Sequence, residues 1–229
     1  MKHHVGNRLL SAAKFVRQGA YFADVGTDHA YLPLFLLSRG VIGRAVCTDV
    51  NEGPLASARK NAEEAGLSDK MTFRLSDGAS ELSGLGITDY AICGMGGELI
   101  AAIIDRAPHL KDGGVNLILQ PMTRQGELRR YLGGAGFEIL AEEYSFEAGK
   151  YYLCILVSYT GECREVGDFE AEFGKVDPRV EISPEKRGYF ETKLRALRKA
   201  RDGKAAGGEA SSPEAILIEE YHRLFTKGK

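Results

Sequence analysis

The sequence predicts an α/β protein: a mostly parallel sheet with helices on both faces, a last strand running antiparallel, and an α-helical hairpin appended at the C-terminal end. Three observations carry that prediction. Short β-branched and apolar runs alternate with helical stretches from Tyr21 to Leu132, a hairpin signal follows, and from about Gly161 charged residues with helical spacing replace the β signal. With 229 residues, 44% of them hydrophobic, the chain can bury a full core in one ordinary domain plus an appendage.

The strands are expected at Tyr21–Val25, Arg44–Asp49, Met71–Leu75, Asp89–Cys93 and Asn116–Gln120. Helices lie between them. Pro54–Ala65 has proline in its first turn, Leu55, Ala58, Ala62 and Ala65 on one face, and Gly66 as its C-cap. Such alternation implies right-handed βαβ units and hence parallel pairing. After a helix at Gln125–Leu132, the runs Phe137–Phe146 and Tyr151–Ser158, joined by the turn Glu147-Ala148-Gly149-Lys150, read as a hairpin that places an antiparallel strand in the sheet. A mostly parallel sheet finished in this way is a Rossmann-like sheet of the class I methyltransferase architecture.

Beyond Gly161, Phe190, Leu194 and Leu197 and then Leu217, Tyr221, Leu224 and Phe225 recur at helical spacing. Gly203 to Ser212 reads as a flexible loop between these helices, and Ser212-Pro213-Glu214 as a capped helix start. The result is an antiparallel, coiled-coil-like helical hairpin. Two domains are expected, at residues 1–160 and 161–229.

No apolar run approaches the roughly 18 residues of a membrane span, and Met1 to Asn7 lacks the apolar core of a secretion signal, so a soluble cytoplasmic protein without membrane contact is expected. Cys47, Cys93, Cys154 and Cys163 form no CxxC pair, which argues against both a disulfide framework and a metal site. A net charge of −2 argues against indiscriminate nucleic-acid binding, so any RNA must be held by a local basic surface.

The segment Ala23-Asp24-Val25-Gly26-Thr27-Asp28-His29-Ala30-Tyr31-Leu32-Pro33 reads as a buried strand breaking into a glycine turn and then a helix. A dinucleotide fingerprint needs three glycines so that backbone N–H groups can approach an anionic pyrophosphate. This turn has one obligatory glycine and two carboxylates, which repel an anion. It suits a cofactor whose nearby end is a cationic amine or sulfonium, and so favours S-adenosylmethionine over NAD or a nucleoside triphosphate.

Chemistry in an open parallel sheet gathers at the carboxyl ends of the strands. Asp24 ends the first strand, Asp49 the second, Asp77-Gly78 follows the third and Gly94-Met95-Gly96-Gly97 the fourth. An acid at the end of the second strand can accept from both ribose hydroxyls, and one after the third from an adenine amino group. His29 has an equal alternative as a packed residue at the helix start, and Tyr31 as a core aromatic. Each lone Asp could also be a turn former or a cap. Their coincidence at four strand ends favours the functional reading.

These residues, with Gly53-Pro54, Arg74-Leu75-Ser76-Asp77-Gly78, Gly94–Ile100, Leu117-Ile118-Leu119-Gln120-Pro121, Glu147 to Lys150 and Arg8-Leu9, resemble the TrmK family of bacterial tRNA (adenine(22)-N1)-methyltransferases. The resemblance is dense from about residue 7 to 158 and looser through Glu172-Phe173-Gly174 and the last helices. It departs at Met122, where the family usually has Asn, so a change in base recognition is expected there. It implies methyl transfer from S-adenosylmethionine to N1 of a D-arm adenine. It also implies a cofactor set of Arg8, Asp24, Gly26, His29, Asp49, Asn61, Asp77, Gly78, Gly94 and Met95, with Asp28 and Tyr31 at the reacting base.

The chemistry agrees with that implication. N1 of neutral adenine has a free lone pair, so alignment matters more than a strong base. The product is a cation that a carboxylate such as Asp28 can stabilise. Tyr31 can stack on the unstacked base or line its path. Amino-directed adenine methyltransferases carry an Asn/Asp-Pro-Pro-aromatic motif where this chain has Gly94–Gly97, which argues for a ring nitrogen as target.

RNA needs local positive charge, and two segments offer it. Residues 1–19 carry Lys2, Arg8, Lys14 and Arg17, and residues 186–204 carry a denser cluster that includes Arg195, Arg198 and Lys199. The second is taken as the tRNA-binding surface, with no protein partner and a monomer expected. Two alternatives are a small-molecule methyltransferase with a helical lid and a non-catalytic S-adenosylmethionine-binding regulator.

Overall fold

A computed structural model of the protein describes residues 5–206 and 212–226. Seven strands, β1 (Tyr21–Val25), β2 (Arg44–Asp49), β3 (Met71–Leu75), β4 (Asp89–Gly96), β5 (Asn116–Thr123), β6 (Phe137–Glu147) and β7 (Lys150–Tyr159), form one sheet in the order β3-β2-β1-β4-β5-β7-β6. The pairs from β3 to β5 are parallel, and β7 runs antiparallel to both β5 and β6. The helices are α1 (Asn7–Ala13), α2 (Tyr31–Ser38), α3 (Glu52–Glu64), α4 (Gly97–Arg106), α5 (Gln125–Gly134), α6 (Asp168–Phe173), α7 (Pro184–Ala206) and α8 (Pro213–Thr226).

Alternation along the central strands divides the core into two layers. Phe22, Ala45, Cys47, Ala91 and Ile118 face the layer that contains Ala12 of α1, Leu34 and Leu37 of α2, and Ala58 and Ala62 of α3. Their neighbours Ala23, Val25, Val46, Ile92, Leu117 and Leu119 face Ile100, Ile103 and Ile104 of α4 and Leu128 and Leu132 of α5. The chain reverses direction along the sheet between β1 and β4, so the crevice at their carboxyl ends is the expected ligand position.

Three spans differ from the sequence pattern. The fourth strand continues past Cys93 through Gly94-Met95-Gly96, with register shifts against β5, so these residues form an irregular strand end and not a turn. The fifth strand continues past Gln120 to Thr123. Gly203 to Ala206 complete the last turn of α7, which moves the start of the expected loop; residues 207–211 lie outside the described residues. The hairpin closes as the sequence predicts. Ala148 (φ 48°) and Gly149 (φ 79°) link Glu147 to Lys150 in the two-residue turn whose twist matches the strands.

The helical tail shares the core of the sheet. Phe173, Tyr189, Phe190, Leu194, Ile218 and Tyr221 join the same apolar cluster as the β4 and β5 side chains, with Tyr144 of β6 edge-on to Tyr189 and Phe190. Beneath this contact lies Arg129 of α5, fully buried. Its Nε donates to Glu142 Oε1 at 2.7 Å and its Nη1 to the Ala171 carbonyl at 2.6 Å, while Tyr144 donates to Glu142 Oε2 at 2.8 Å. Burial opposes the charge on Arg129, but the adjacent Glu142 carboxylate holds its pKa above the usual value. A Cβ at Gly174 would run into that carboxylate, which accounts for the glycine of Glu172-Phe173-Gly174.

Removing one member of a buried pair leaves an uncompensated charge. Arg129→Ala is therefore expected to lower stability by about 3 kcal/mol or more. Denaturant unfolding of the variant beside the wild type checks this.

Candidate active site

The turn after β1 is built from strained backbone. Gly26 (φ 75°), Asp28 (φ 46°) and Ala30 (φ 56°) all occupy the left-handed region, which costs the two non-glycine residues on the order of 1–3 kcal/mol each. The surroundings over-determine it. The Gly26 and Thr27 amides both donate to the Thr48 carbonyl of β2 at 2.8 and 2.9 Å, and the Ala30 amide donates to the Thr27 carbonyl at 2.8 Å. Asn61 Nδ2, from α3, donates to the His29 carbonyl at 2.9 Å. Pro33 falls in the first turn of α2, where its missing N–H leaves no gap.

This turn forms one wall of a cavity of about 300 Å³ at the carboxyl ends of β1, β2 and β4. The cavity gathers Arg8, Asp24, Gly26, Asp28, His29, Tyr31, Asp49, Gly94 and Met95, all expected site residues. It does not include Asn61, Asp77 or Gly78 in its lining. Asn61 braces the turn from behind. Asp77 is exposed and paired with Arg106 at 3.1 Å, and the Gly78 carbonyl accepts from Thr48 Oγ1 at 3.1 Å. Leu9, Thr27, Leu32 and Cys93 also line the cavity and were not expected. Thr27 and Leu32 lie within the Ala23–Pro33 segment and Cys93 ends a predicted strand, so proximity to those motifs was the available signal.

The electrostatics are acidic with a single cation. Asp24 is buried, and burial raises its pKa to about 6, against the opposing pull of the Thr27 hydroxyl, which donates to Oδ2 at 2.6 Å, and of the Arg8 charge. Asp28 is open to solvent, with Oδ1 3.4 Å from His29 Nε2, and the His29 and Tyr31 rings stack at 5.2 Å. Asp49 Oδ1 accepts from the Asn51 amide at 2.9 Å. The Cys93 thiol is pushed up to about 12, chiefly by burial, which makes it a poor nucleophile. Met122 stands exposed at the end of β5, outside the cavity lining, with its sulfur 3.5 Å from Gln120 Nε2.

Of the two basic segments, the first is largely engaged. Arg17 forks onto the buried Asp89, Lys14 pairs with Glu143, and Arg8 donates to Gln120; Lys2 lies outside the described residues. In the second, Arg195 and Arg198 line a groove of about 620 Å³ between α7 and α8, together with Arg187, Tyr221, His222 and Phe225. Among the described residues, no helix is long and apolar enough to cross a membrane.

A doubly layered, mostly parallel sheet with an acid-lined crevice at its switch point defines a Rossmann-like methyltransferase, and residues 5–155 match the family described as Methyltransferase domain. A Bacillus subtilis tRNA (adenine(22)-N(1))-methyltransferase is 32% identical over 158 residues, which span 69% of this chain and 66% of that one. A Streptococcus pneumoniae protein assigned as a tRNA (m1A22) methyltransferase, solved with S-adenosyl-L-methionine, is 34% identical, with a TM-score of 0.82 over 96% of this chain and 99% of that one. TrmK of M. capricolum, solved with S-adenosyl-homocysteine, is 26% identical with a TM-score of 0.73, over 97% and 95% of the two chains. The chain belongs to the methyltransferase family and, within it, to the TrmK group.

The protonated form of Asp24 favours the native state. Its contribution to the stability of the unliganded protein is therefore complete below about pH 4, the unfolded value, and is lost as pH rises through about 6. A carbon-detected NMR titration of the Asp24 carboxyl should show a midpoint near pH 6, and Thr27→Val should move it upward by removing the donor.

Proposed function

We propose that this chain transfers the methyl group of S-adenosyl-L-methionine to N1 of adenine 22 in the D-arm of tRNA, acting as a cytoplasmic monomer. The observation that carries this reading is the switch-point cavity, where Asp24, Asp28 and Asp49 surround one cation, Arg8, in a chain that aligns over nearly its whole length with a relative solved in complex with S-adenosyl-L-methionine. The donor set fits that cofactor. Its ammonium and sulfonium suit the carboxylates, its ribose hydroxyls suit Asp49 at the end of β2, and its single carboxylate suits Arg8. The cofactor supplies an electrophilic methyl.

The protein's part is alignment and charge. The braced turn holds Asp28 and Tyr31 in fixed positions beside the cavity, so the nucleophile meets a rigid wall. Asp28, open to solvent in its left-handed backbone, is available to stabilise the positive charge that builds on the adenine. Tyr31, held by stacking on His29, offers a face for an unstacked base. Asp77 stays in the reading as an acceptor for the adenine end of the cofactor, which requires it to share or leave Arg106. The groove with Arg195 and Arg198, together with Lys199, is assigned to tRNA phosphates.

The direct test is mass-spectrometric mapping of methylated nucleosides after incubation with unmodified tRNA and labelled cofactor. N1-methyladenosine at position 22 is expected, and methylation only of small molecules, or none, would reject the reading. Asp28→Asn and Tyr31→Ala are each expected to lower turnover more than about tenfold, or 1.4 kcal/mol of transition-state stabilisation, with cofactor affinity nearly unchanged. Asp49→Ala should instead weaken the cofactor by on the order of 1–3 kcal/mol, read by calorimetry. Reversing the charges of Arg195, Arg198 and Lys199 should weaken tRNA binding and flatten its salt dependence, because fewer counterions are released. Gel-shift titrations at several salt concentrations measure both.

A further inference from the structure

Gln120 is fully buried at the end of β5, yet the fold gives its side chain an unequal environment. The carbonyl oxygen accepts two hydrogen bonds, from Arg8 Nη1 at 2.7 Å and from the Gly94 amide at 3.0 Å. Among the described residues, the amide nitrogen donates only to the Met122 thioether at 3.5 Å, a weak acceptor. The orientation of this amide is therefore fixed by its oxygen. That oxygen joins three elements at one point: β5, the irregular end of β4, and α1.

Arg8 is held from its other side as well. Its backbone amide donates to Glu147 Oε2 at 2.8 Å, and Asn7 Nδ2 donates to the Phe146 carbonyl at 3.0 Å, so the hairpin turn grips the first turn of α1. Gly6 permits that grip, since a Cβ there would run into the Glu147 carboxylate. With Nη1 committed to Gln120, the Nε and Nη2 groups make no hydrogen bond to another described residue, and the guanidinium lines the cavity. An arginine recognises a carboxylate through two such donors on one edge.

We propose that Gln120 is a positioning residue that aims this free edge of Arg8 at the carboxylate of the cofactor's amino-acid arm. Its neutral amide is the chemically suitable clamp: it accepts from the guanidinium without neutralising it, as a carboxylate would. The same oxygen holds the amide of Gly94, which also lines the cavity. The proposal rests on the reading of Arg8 as the cofactor-carboxylate partner.

Calorimetry with two ligands separates the roles: S-adenosylmethionine, and its decarboxylated form, which lacks only the carboxylate. The wild type is expected to prefer the first by about tenfold or more, the worth of a hydrogen-bonded charge pair. Arg8→Ala should bring that ratio near one. Gln120→Leu should reduce that ratio at least about threefold, whatever common loss of affinity both ligands suffer from the unpaired Gly94 amide. Gln120→Glu keeps acceptors for both Arg8 and Gly94 and so preserves the local fold, but is expected to lose the preference because it neutralises Arg8. If Gln120→Leu weakens both ligands by one factor, or if Gln120→Glu keeps the wild-type ratio, Gln120 is structural only and the proposal is overturned. A wild-type ratio near one, or a ratio that Arg8→Ala leaves intact, would remove the Arg8 reading and the proposal with it.

Discussion

The buried ion pair of Arg129 and Glu142 is the constraint on which the arrangement of the whole chain depends. It draws together α5, β6 and, through the Ala171 carbonyl, α6, at the point where the methyltransferase sheet meets the helical tail. A guanidinium in this position is costly to desolvate, and with Nε and Nη1 paired but the buried Nη2 without a partner among the described residues, the partners it has must arrive in register. Glu142 reaches it because β6 carries a register irregularity between Ile139 and Ala141 and because Gly174 leaves room. Tyr144 then satisfies the second carboxylate oxygen and presents its ring to α7. The tail is thus docked by a polar network with little freedom, and the aromatic cluster of Phe173, Phe190 and Tyr221 closes over it.

The site obeys a similar economy at smaller scale. Its wall is a turn with three left-handed residues in five, held by Thr48 and Asn61, so the strain is maintained by β2 and α3 and not by any ligand. Preorganisation of that kind suits a reaction in which the nucleophile is already competent and geometry limits the rate. The acids are graded by environment. Asp24, buried, is pushed toward neutrality near pH 6, while Asp28 stands in solvent. A cationic ligand beside Asp24 favours its ionised form, so the carboxylate that burial destabilises most gains most from such a ligand.

Much of this was legible in the sequence, for identifiable reasons. Strands β1 and β2 lie at the residues their apolar runs mark, because both of their faces are buried and the signal is nearly continuous, and the edge strand β3, only partly buried, also lies where its run marks it. The glycine turn, the acids at the strand ends and the hairpin were legible for the same reason: local chemistry decides them. The extension of β4 to Gly96 was not, since three glycines in four residues are paired only through tertiary contacts with β5. Helix α1 is seven residues long and exists because Glu147, Gln120 and Asp89 hold its neighbourhood from far away in sequence. The pairing of Asp77 with Arg106, and the burial of Gln120 beneath Arg8, depend on partners 29 and 112 residues distant that no local pattern reveals.

The distribution of charge and apolar surface also bears on how a nucleic acid can be presented. At the carboxyl edge of the sheet, Val50, Leu75, Leu99 and Met122 are exposed among Asp28, Asp49, Asp77 and Glu98. Such an edge accepts flat, apolar, partly cationic groups and repels phosphates. A polyanion must therefore be gripped away from the edge, and most of the N-terminal cations are spent on Glu143, Asp89 and Gln120. The arginines of the α7–α8 groove remain, on helices locked to the sheet by the Arg129 network. In the proposed reading, one part of the molecule would hold backbone while another receives a base, and the core that the tail shares with the sheet would set the distance between them.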